Sequence, residues 1–280
     1  MSMKTWFITG APRGFGALIA KEALDRGDNV VATARNPEAV TKALGERPNL
    51  LAISLDVNEE ASAYGAVAVA IQRFGQIDVL VNNAGFGLLG AIEENNAREV
   101  KAVFRTNVFG LLSVTRAVLP HMRRERSGHV INISSIGGYR ASIGWGVYCS
   151  TKFAVEGISE ALAEEVAPLG IKVTVVEPGY FRTDFLEGQS LSTSPSIIDD
   201  YAETSGAMRT TAAAVSLKQP GDPTRLAKAL MTLADAENPP LRMPFGSDTV
   251  AAIEAKNAFV AEELAAWREL AISTDFPKGK

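Results

Sequence analysis

The chain has 280 residues, 46% of them hydrophobic and 21% charged, a formal net charge of −4 and basic residues scattered along its length. This composition suits a full apolar core and argues against nucleic acid as a partner; no uninterrupted apolar run approaches the ~18 residues of a membrane span, and no basic-then-apolar segment opens the chain, so a cytoplasmic location is expected and a membrane partner is not. The single cysteine, Cys149, permits neither an internal disulfide nor a cysteine-rich metal site.

Lys4–Thr9 reads as a short buried strand, followed at once by Thr9-Gly10-Ala11-Pro12-Arg13-Gly14-Phe15-Gly16. A helix-like segment, Ala17–Arg26, comes next with Leu18, Ile19 and Leu24 as its apolar members, and Asn29–Ala34 reads as a second strand. Strand, glycine loop, helix and strand are the context in which Gly10, Gly14 and Gly16 become a dinucleotide-binding loop. The glycines let the backbone turn tightly beside a pyrophosphate, whose charge then sits at a helix N-terminus. After the second strand, Thr33-Ala34-Arg35-Asn36 contains no carboxylate, and the first acid is Glu38. An NAD site usually carries an acid there for the ribose 2′-hydroxyl, whereas arginine accommodates a 2′-phosphate. The expected cofactor is NADP(H), its phosphate forked by Arg13 and Arg35.

Further strands are expected at Leu50–Leu55, Asp78–Asn82, His129–Ser134 and Ile171–Glu177. A long helical region, Asn96–Arg124, contains Asn107 at an expected local irregularity, and Ser150–Val166 reads as a helix. In that last helix Val155, Ile158, Leu162 and Val166 form the buried stripe and leave Glu156, Glu160 and Glu164 on another. The stretch 180–216, rich in Ser, Thr and Gly, breaks the rhythm and reads as a substrate lid. Helices are expected at Pro223–Ala236 and Ser247–Ala271, separated by Pro239-Pro240, with Leu264, Trp267 and Leu270 as a stripe for docking on the core or on another subunit. The alternation predicts an α/β, Rossmann-type doubly wound parallel sheet with helices on both faces and a C-terminal helical lid, built as one domain over residues 1–280.

Tyr148 and Lys152 lie four residues apart, so a helix would project both from one face. A free phenol has a pKa of about 10, and a fixed cation nearby lowers it; Lys152 is placed to supply that cation. Ser135, at the end of the strand before, is placed to donate to a substrate oxygen as charge grows on it. Together they suit protonation of a carbonyl oxygen while hydride reaches its carbon.

With these motifs in place the chain resembles the short-chain dehydrogenase/reductase family from Lys4 through at least Thr183. Asn83-Ala84-Gly85 resembles the family's cofactor-lining element, Asp56-Val57 its adenine-contacting position, and Pro178-Gly179 with Thr183 the segment over the nicotinamide carboxamide. Asn107 resembles the asparagine of the family's catalytic tetrad, which supports a water-mediated relay to the lysine. The spacing T-G-x-x-x-G-x-G resembles the compact branch rather than the extended one. Pro12 departs from the family pattern, since proline has no N–H to offer the loop. The resemblance implies NADP(H)-dependent carbonyl reduction or alcohol oxidation and a homodimer or homotetramer. Phe86, Leu88, Leu89, Ile136, Tyr139, Ile143, Trp145, Tyr180 and Phe181 flank these positions and favour a hydrophobic ketone or alcohol. The alternatives are a nicotinamide-binding sensor or a scaffold without turnover. His121 and His129 are expected to be structural or surface residues.

Overall fold

The computed structural model describes residues 3–276. In chain order the elements are β1 (Thr5–Thr9), α1 (Gly14–Asp25), β2 (Asn29–Ala34), α2 (Pro37–Leu44), β3 (Leu50–Ser54), α3 (Glu60–Phe74), β4 (Val79–Asn82), β5 (Gly87–Leu89), α4 (Ala97–Phe104), α5 (Leu111–Glu125), β6 (Gly128–Ile133), α6 (Gly146–Val166), β7 (Ile171–Pro178), β8 (Leu191–Thr193), α7 (Ala207–Val215), α8 (Pro223–Asp235), β9 (Arg242–Phe245) and α9 (Ser247–Ile272).

Seven of the strands form one parallel sheet in the order β3-β2-β1-β4-β6-β7-β9. The chain starts in the middle, winds outward to β3, then returns to β4 and winds the other way. The crevice between β1 and β4 is therefore the topological switch point, where ligands of open parallel sheets bind beyond the strand C-termini. Side chains alternate across the sheet. Trp6, Ile8, Val30, Val79 and Val81 pack with Ile19 of α1, Val40 of α2 and Leu230 of α8. Phe7, Val31 and Leu80 pack on the other face with Val67 of α3, Val114 of α5 and Leu162 of α6. Burial on both faces explains why these strands read as unbroken apolar runs.

The expected strands fall within one residue of their observed limits, and the long helical region is broken where Asn107 lies: residues Arg105–Gly110 form a π-helical turn between α4 and α5. By length and composition the joined helix Ala97–Glu125 could cross a bilayer, but 56% of its apolar window is buried against the body. Helices α2 and α3 were not anticipated; α2 starts from an Asn36 side-chain cap followed by Pro37, a standard entry.

Three features differ from expectation. First, Arg242–Phe245 is a strand, β9, paired parallel with β7. Its four residues include an arginine and a proline, so nothing in its pattern suggests a strand; Pro244 is tolerated because the strand is at the sheet edge. Second, the 180–216 stretch is not irregular throughout. It contributes β8, which pairs with β5, and α7. The fully buried Glu94 anchors it, accepting from the Ile198 and Ala91 amides at 3.0 and 2.7 Å and pairing with Arg209. Third, the apolar stripe of α9 does not dock on the core: Leu264, Trp267 and Leu270 are 61–66% exposed.

His129, at the start of β6, is buried with Nε2 2.9 Å from Thr174 Oγ1. Burial, with the charges of Lys172 and Lys4, pushes its pKa down from 6.5 to about 3. The folded state thus prefers the neutral ring. Its contribution to stability is complete above pH 6.5 and declines as pH falls toward 3, by up to about 1.4 kcal/mol per pH unit. Urea unfolding of wild type and His129→Gln at pH 6.5, 5.5 and 4.5 measures this: the wild type should lose stability more steeply, and equal slopes would contradict it.

Candidate active site

A cleft of about 840 Å³ opens along the C-terminal ends of β1, β2, β4, β6 and β7. Its lining includes Gly10, Arg13, Gly14, Phe15, Arg35, Asp56, Val57, Asn83, Ala84, Gly85, Ser135, Tyr148, Lys152, Pro178, Gly179 and Thr183. Of the expected catalytic and cofactor-binding residues, Gly16 and Asn107 are not among those that line the cleft.

The glycine loop has the shape that a diphosphate needs. Gly10 has a φ of +66°, open to glycine at little cost. A Cβ on Gly16 would collide with the Gly10 carbonyl oxygen and stand 2.7 Å from Asn83 Nδ2. Asn83 Nδ2 in turn donates to the carbonyls of Thr9 and Gly10 at 2.9 and 3.0 Å. Asn83 therefore staples the loop of β1 to that of β4. Arg13 is the N-cap of α1 but its side chain caps nothing, and the first turn carries no acid. The orphan amides at this end are left to the cleft, where they favour an anion. A dinucleotide fits this cradle: Gly14, Phe15 and Gly16 would hold its diphosphate and Asp56 and Val57 line the adjoining wall. The two arginines differ. Arg35 is exposed and no ion pair of it occurs among the described residues, whereas Arg13 Nε lies 3.3 Å from Asp184 Oδ2, across the cleft mouth.

The opposite half of the cleft holds the polar trio. Ser135 caps the turn Ile136–Gly138, its Oγ accepting from the Gly137 amide at 3.1 Å. With one lone pair so occupied, the hydroxyl proton is directed elsewhere. Tyr148 and Lys152 are both buried on α6. Lys152 Nζ donates to the Ile133 carbonyl at 2.8 Å and lies 5.8 Å from the Tyr148 ring centroid. Burial pulls the lysine down from 10.5 to about 8, with Glu156 opposing. Burial raises the Tyr148 phenol above its ordinary 10, opposed by the Ser135 hydroxyl. The expected lowering of the phenol by Lys152 is thus not present in this site; removal from water outweighs it.

Asn107 holds the site from behind. From the π-helical turn its Nδ2 donates to the Phe86 carbonyl at 2.9 Å and to Thr151 Oγ1 at 3.1 Å, and its Oδ1 accepts from the Phe86 amide at 3.0 Å. A Cβ on Gly85 would come 3.1 Å from Asn107 Oδ1, a tight contact that glycine avoids, whereas at 3.9 Å from Lys152 Nζ it would meet only ordinary packing.

Aromatic side chains bracket the phenol. Trp145 and Phe185 lie 5.8 and 5.6 Å from the Tyr148 ring, and Phe15 and Phe181 meet edge-on at 5.5 Å. Of the apolar residues expected here, Phe86, Ile136, Trp145, Tyr180 and Phe181 line the cleft. Leu88 and Leu89 are instead buried in β5, Ile143 is 59% exposed, and Tyr139 faces Arg242 outside the cleft. Leu191 of β8 is a lining residue that sequence reading missed, since only its pairing with β5 brings it there. Asp248 was missed too: its carboxylate accepts from the Tyr180 amide at 2.8 Å and pins the chain where it leaves β7. His121 and His129 are not among the cleft residues.

A family described as short chain dehydrogenase matches residues 4–192. Among curated relatives, oxidoreductase BOA17 of Botryotinia fuckeliana is 37% identical over 97% of this chain and 99% of its own. A 3-ketodihydrosphingosine reductase of Bacteroides thetaiotaomicron is 39% identical over 85% and 86%. A short-chain dehydrogenase from Streptomyces avermitilis superposes with a TM-score of 0.90 at 42% identity, covering 98% of this chain and 100% of its own. Two more distant structures, each 27% identical with a TM-score of 0.73, cover 86% of this chain: a 3-ketoacyl-(acyl-carrier-protein) reductase from Brucella melitensis complexed with NADH, covered to 96%, and a serine dehydrogenase complexed with NADP+, covered to 94%.

Gly16→Ala is expected to destabilise the fold by about 1–3 kcal/mol through overpacking of the loop. Urea unfolding checks this, with Gly65→Ala, where a Cβ meets nothing, as the comparison; equal midpoints would show that the close approach is dispensable.

Proposed function

We propose that this chain, which belongs to the short-chain dehydrogenase/reductase family, transfers hydride reversibly between NADP(H) and a hydrophobic ketone or secondary alcohol. The observation that carries the reading is the convergence of Ser135, Tyr148 and Lys152 on one cleft with the glycine loop. Bound nicotinamide supplies or accepts the hydride. Tyr148 donates the proton in the reducing direction: burial keeps the phenol protonated, and the Lys152 charge beside it favours the phenolate left behind. Ser135 accepts from Gly137 through one lone pair and keeps its O–H to donate to the substrate oxygen, where it would steady the growing charge. Lys152 supplies positive charge beside the phenol and holds the ribose, and Asn107 supports the relay behind it.

The preference for NADP(H) rests on Arg35, which lines the cleft beyond β2 where an acid would serve NAD. Arg13 joins it on leaving Asp184. The relatives do not decide this, because the fold is found with NADH and with NADP+. The substrate preference rests on the Trp145, Phe185 and Leu191 walls around Tyr148, and it agrees with the ketone named for the Bacteroides relative. Residues 180–216 act as the lid, through their Phe181–Leu186 portion at the cleft mouth. The reading extends to one functional unit over the whole chain, in the cytoplasm, assembled as a homodimer or homotetramer; light scattering tests the assembly.

Tyr148→Phe should lower turnover of apolar ketones by about 10²–10⁴-fold with NADPH affinity nearly unchanged; near-normal rates would overturn the assignment. In Arg13→Ala/Arg35→Ala the preference for NADPH over NADH should collapse. Fluorescence titration with both cofactors measures it, and an unaltered ratio would remove both arginines from the phosphate site.

A further inference from the structure

We propose that Glu156 is a positioning residue for Lys152: its carboxyl, held by Arg242 of β9, supplies the negative charge that keeps the buried ammonium charged beneath the cleft. The inference rests on the reading of Lys152 given above. Glu156 follows Lys152 by one helical turn on α6, and both are buried. The sequence pattern puts Glu156 on the outer stripe with Glu160 and Glu164; Glu160 and Glu164 are exposed, whereas Glu156 is buried.

The geometry links the two groups through β6. Lys152 Nζ sits on the Ile133 carbonyl. Next along the chain is Ser134, and a Cβ built on Gly138 would meet both Ser134 Oγ, at 2.5 Å, and Glu156 Oε1, at 2.8 Å. Glycine at 138 thus leaves room for the hydroxyl and the carboxyl to face each other behind the lysine. From β7 the buried Glu177 faces Glu156, and from β9 Arg242 Nη1 reaches both, pairing with Glu156 and lying 3.3 Å from Glu177 Oε1. Arg242 also binds the exposed Glu160 at 2.9 Å and lies 6.0 Å from the Tyr139 ring.

Charge balance ties these groups to Lys152. Two cations, the buried Lys152 and the half-buried Arg242, face two buried carboxyls, Glu156 and Glu177, with the exposed Glu160 at the water side of Arg242. With all four ionised the cluster is neutral, and loss of the Lys152 proton leaves an excess carboxylate that binds a proton more readily. Burial raises both carboxyls, and the charge of Glu156 adds to the rise of Glu177, to about 7. Of the surrounding carboxyls, it is Glu156 that favours the charged lysine. Remove it and Arg242 is matched by Glu177, leaving the ammonium without a counter-charge.

The test is a pH titration of lysine Nζ resonances in ¹⁵N-lysine-labelled protein, with Lys152 assigned from Lys152→Met. In Glu156→Gln the Lys152 midpoint should fall by at least one pH unit, a tenfold easier deprotonation, and Glu156→Asp should restore much of it. The high-pH limb of kcat/KM for ketone reduction should move by the same amount. A Glu156→Gln protein with native circular dichroism and an unmoved midpoint overturns the proposal. If that variant does not fold, Arg242→Gln takes its place: without the guanidinium Glu156 binds a proton more readily, so the Lys152 midpoint should move downward, and an upward or absent shift there overturns the proposal equally. A wild type without turnover would sink the catalytic reading alone, since the resonance titration still decides the role of Glu156.

Discussion

The burial of one ammonium group governs the site. Taking Lys152 out of water costs several kcal/mol unless partners replace its hydration; the Ile133 carbonyl at the end of β6 accepts from it, and the charge of Glu156, one turn on, acts at longer range. The same dryness keeps the Tyr148 phenol protonated. A helix that must hide a lysine, a tyrosine and a glutamate cannot be amphipathic in the ordinary way, and α6 is buried on more than one side.

That burial depends on the sheet. Because every strand of the main sheet is parallel, all the loops that follow the strands gather at one edge, and the outward winding from β1 and β4 opens a crevice there. Glycine then decides how closely the loops approach. Gly10 and Gly16 let the β1 loop fold onto α1 and Asn83, and Gly85 lets the β4 loop lie against Asn107. The π-helical turn presents the Asn107 amide to both Phe86 and Thr151.

The apolar wall is assembled from the far part of the chain. Glu94, a fully buried carboxylate, accepts two amides and an arginine from three segments and so fixes the distal part of residues 180–216 to the body. The proximal part, anchored at Asp248 and bridged to the glycine loop through Asp184 and Arg13, lines the cleft. The two ends of this segment are thus held by different elements, with Phe185 and Leu191 between them against Tyr148 and Trp145.

Much of this was legible in the amino-acid order. Apolar runs set off by glycine loops locate six of the seven strands of the main sheet, and motifs that need only local spacing, the glycine loop, Ser135 and the Tyr148–Lys152 pair, mark the site. These signals survive because each is carried by neighbours in the chain: a strand by its own run of buried side chains, a helical pair by its interval of four. What remained hidden depends on partners distant in sequence. The four residues of β9 are a strand only because β7 lies beside them, and without β9 there is no Arg242 to bring Glu156 and Glu177 inside. Leu191 reaches the cleft only through β5. The phenol's pKa was read from its nearest charge, but the tertiary structure reversed the direction, because desolvation is set by everything packed around a group and no local pattern records it.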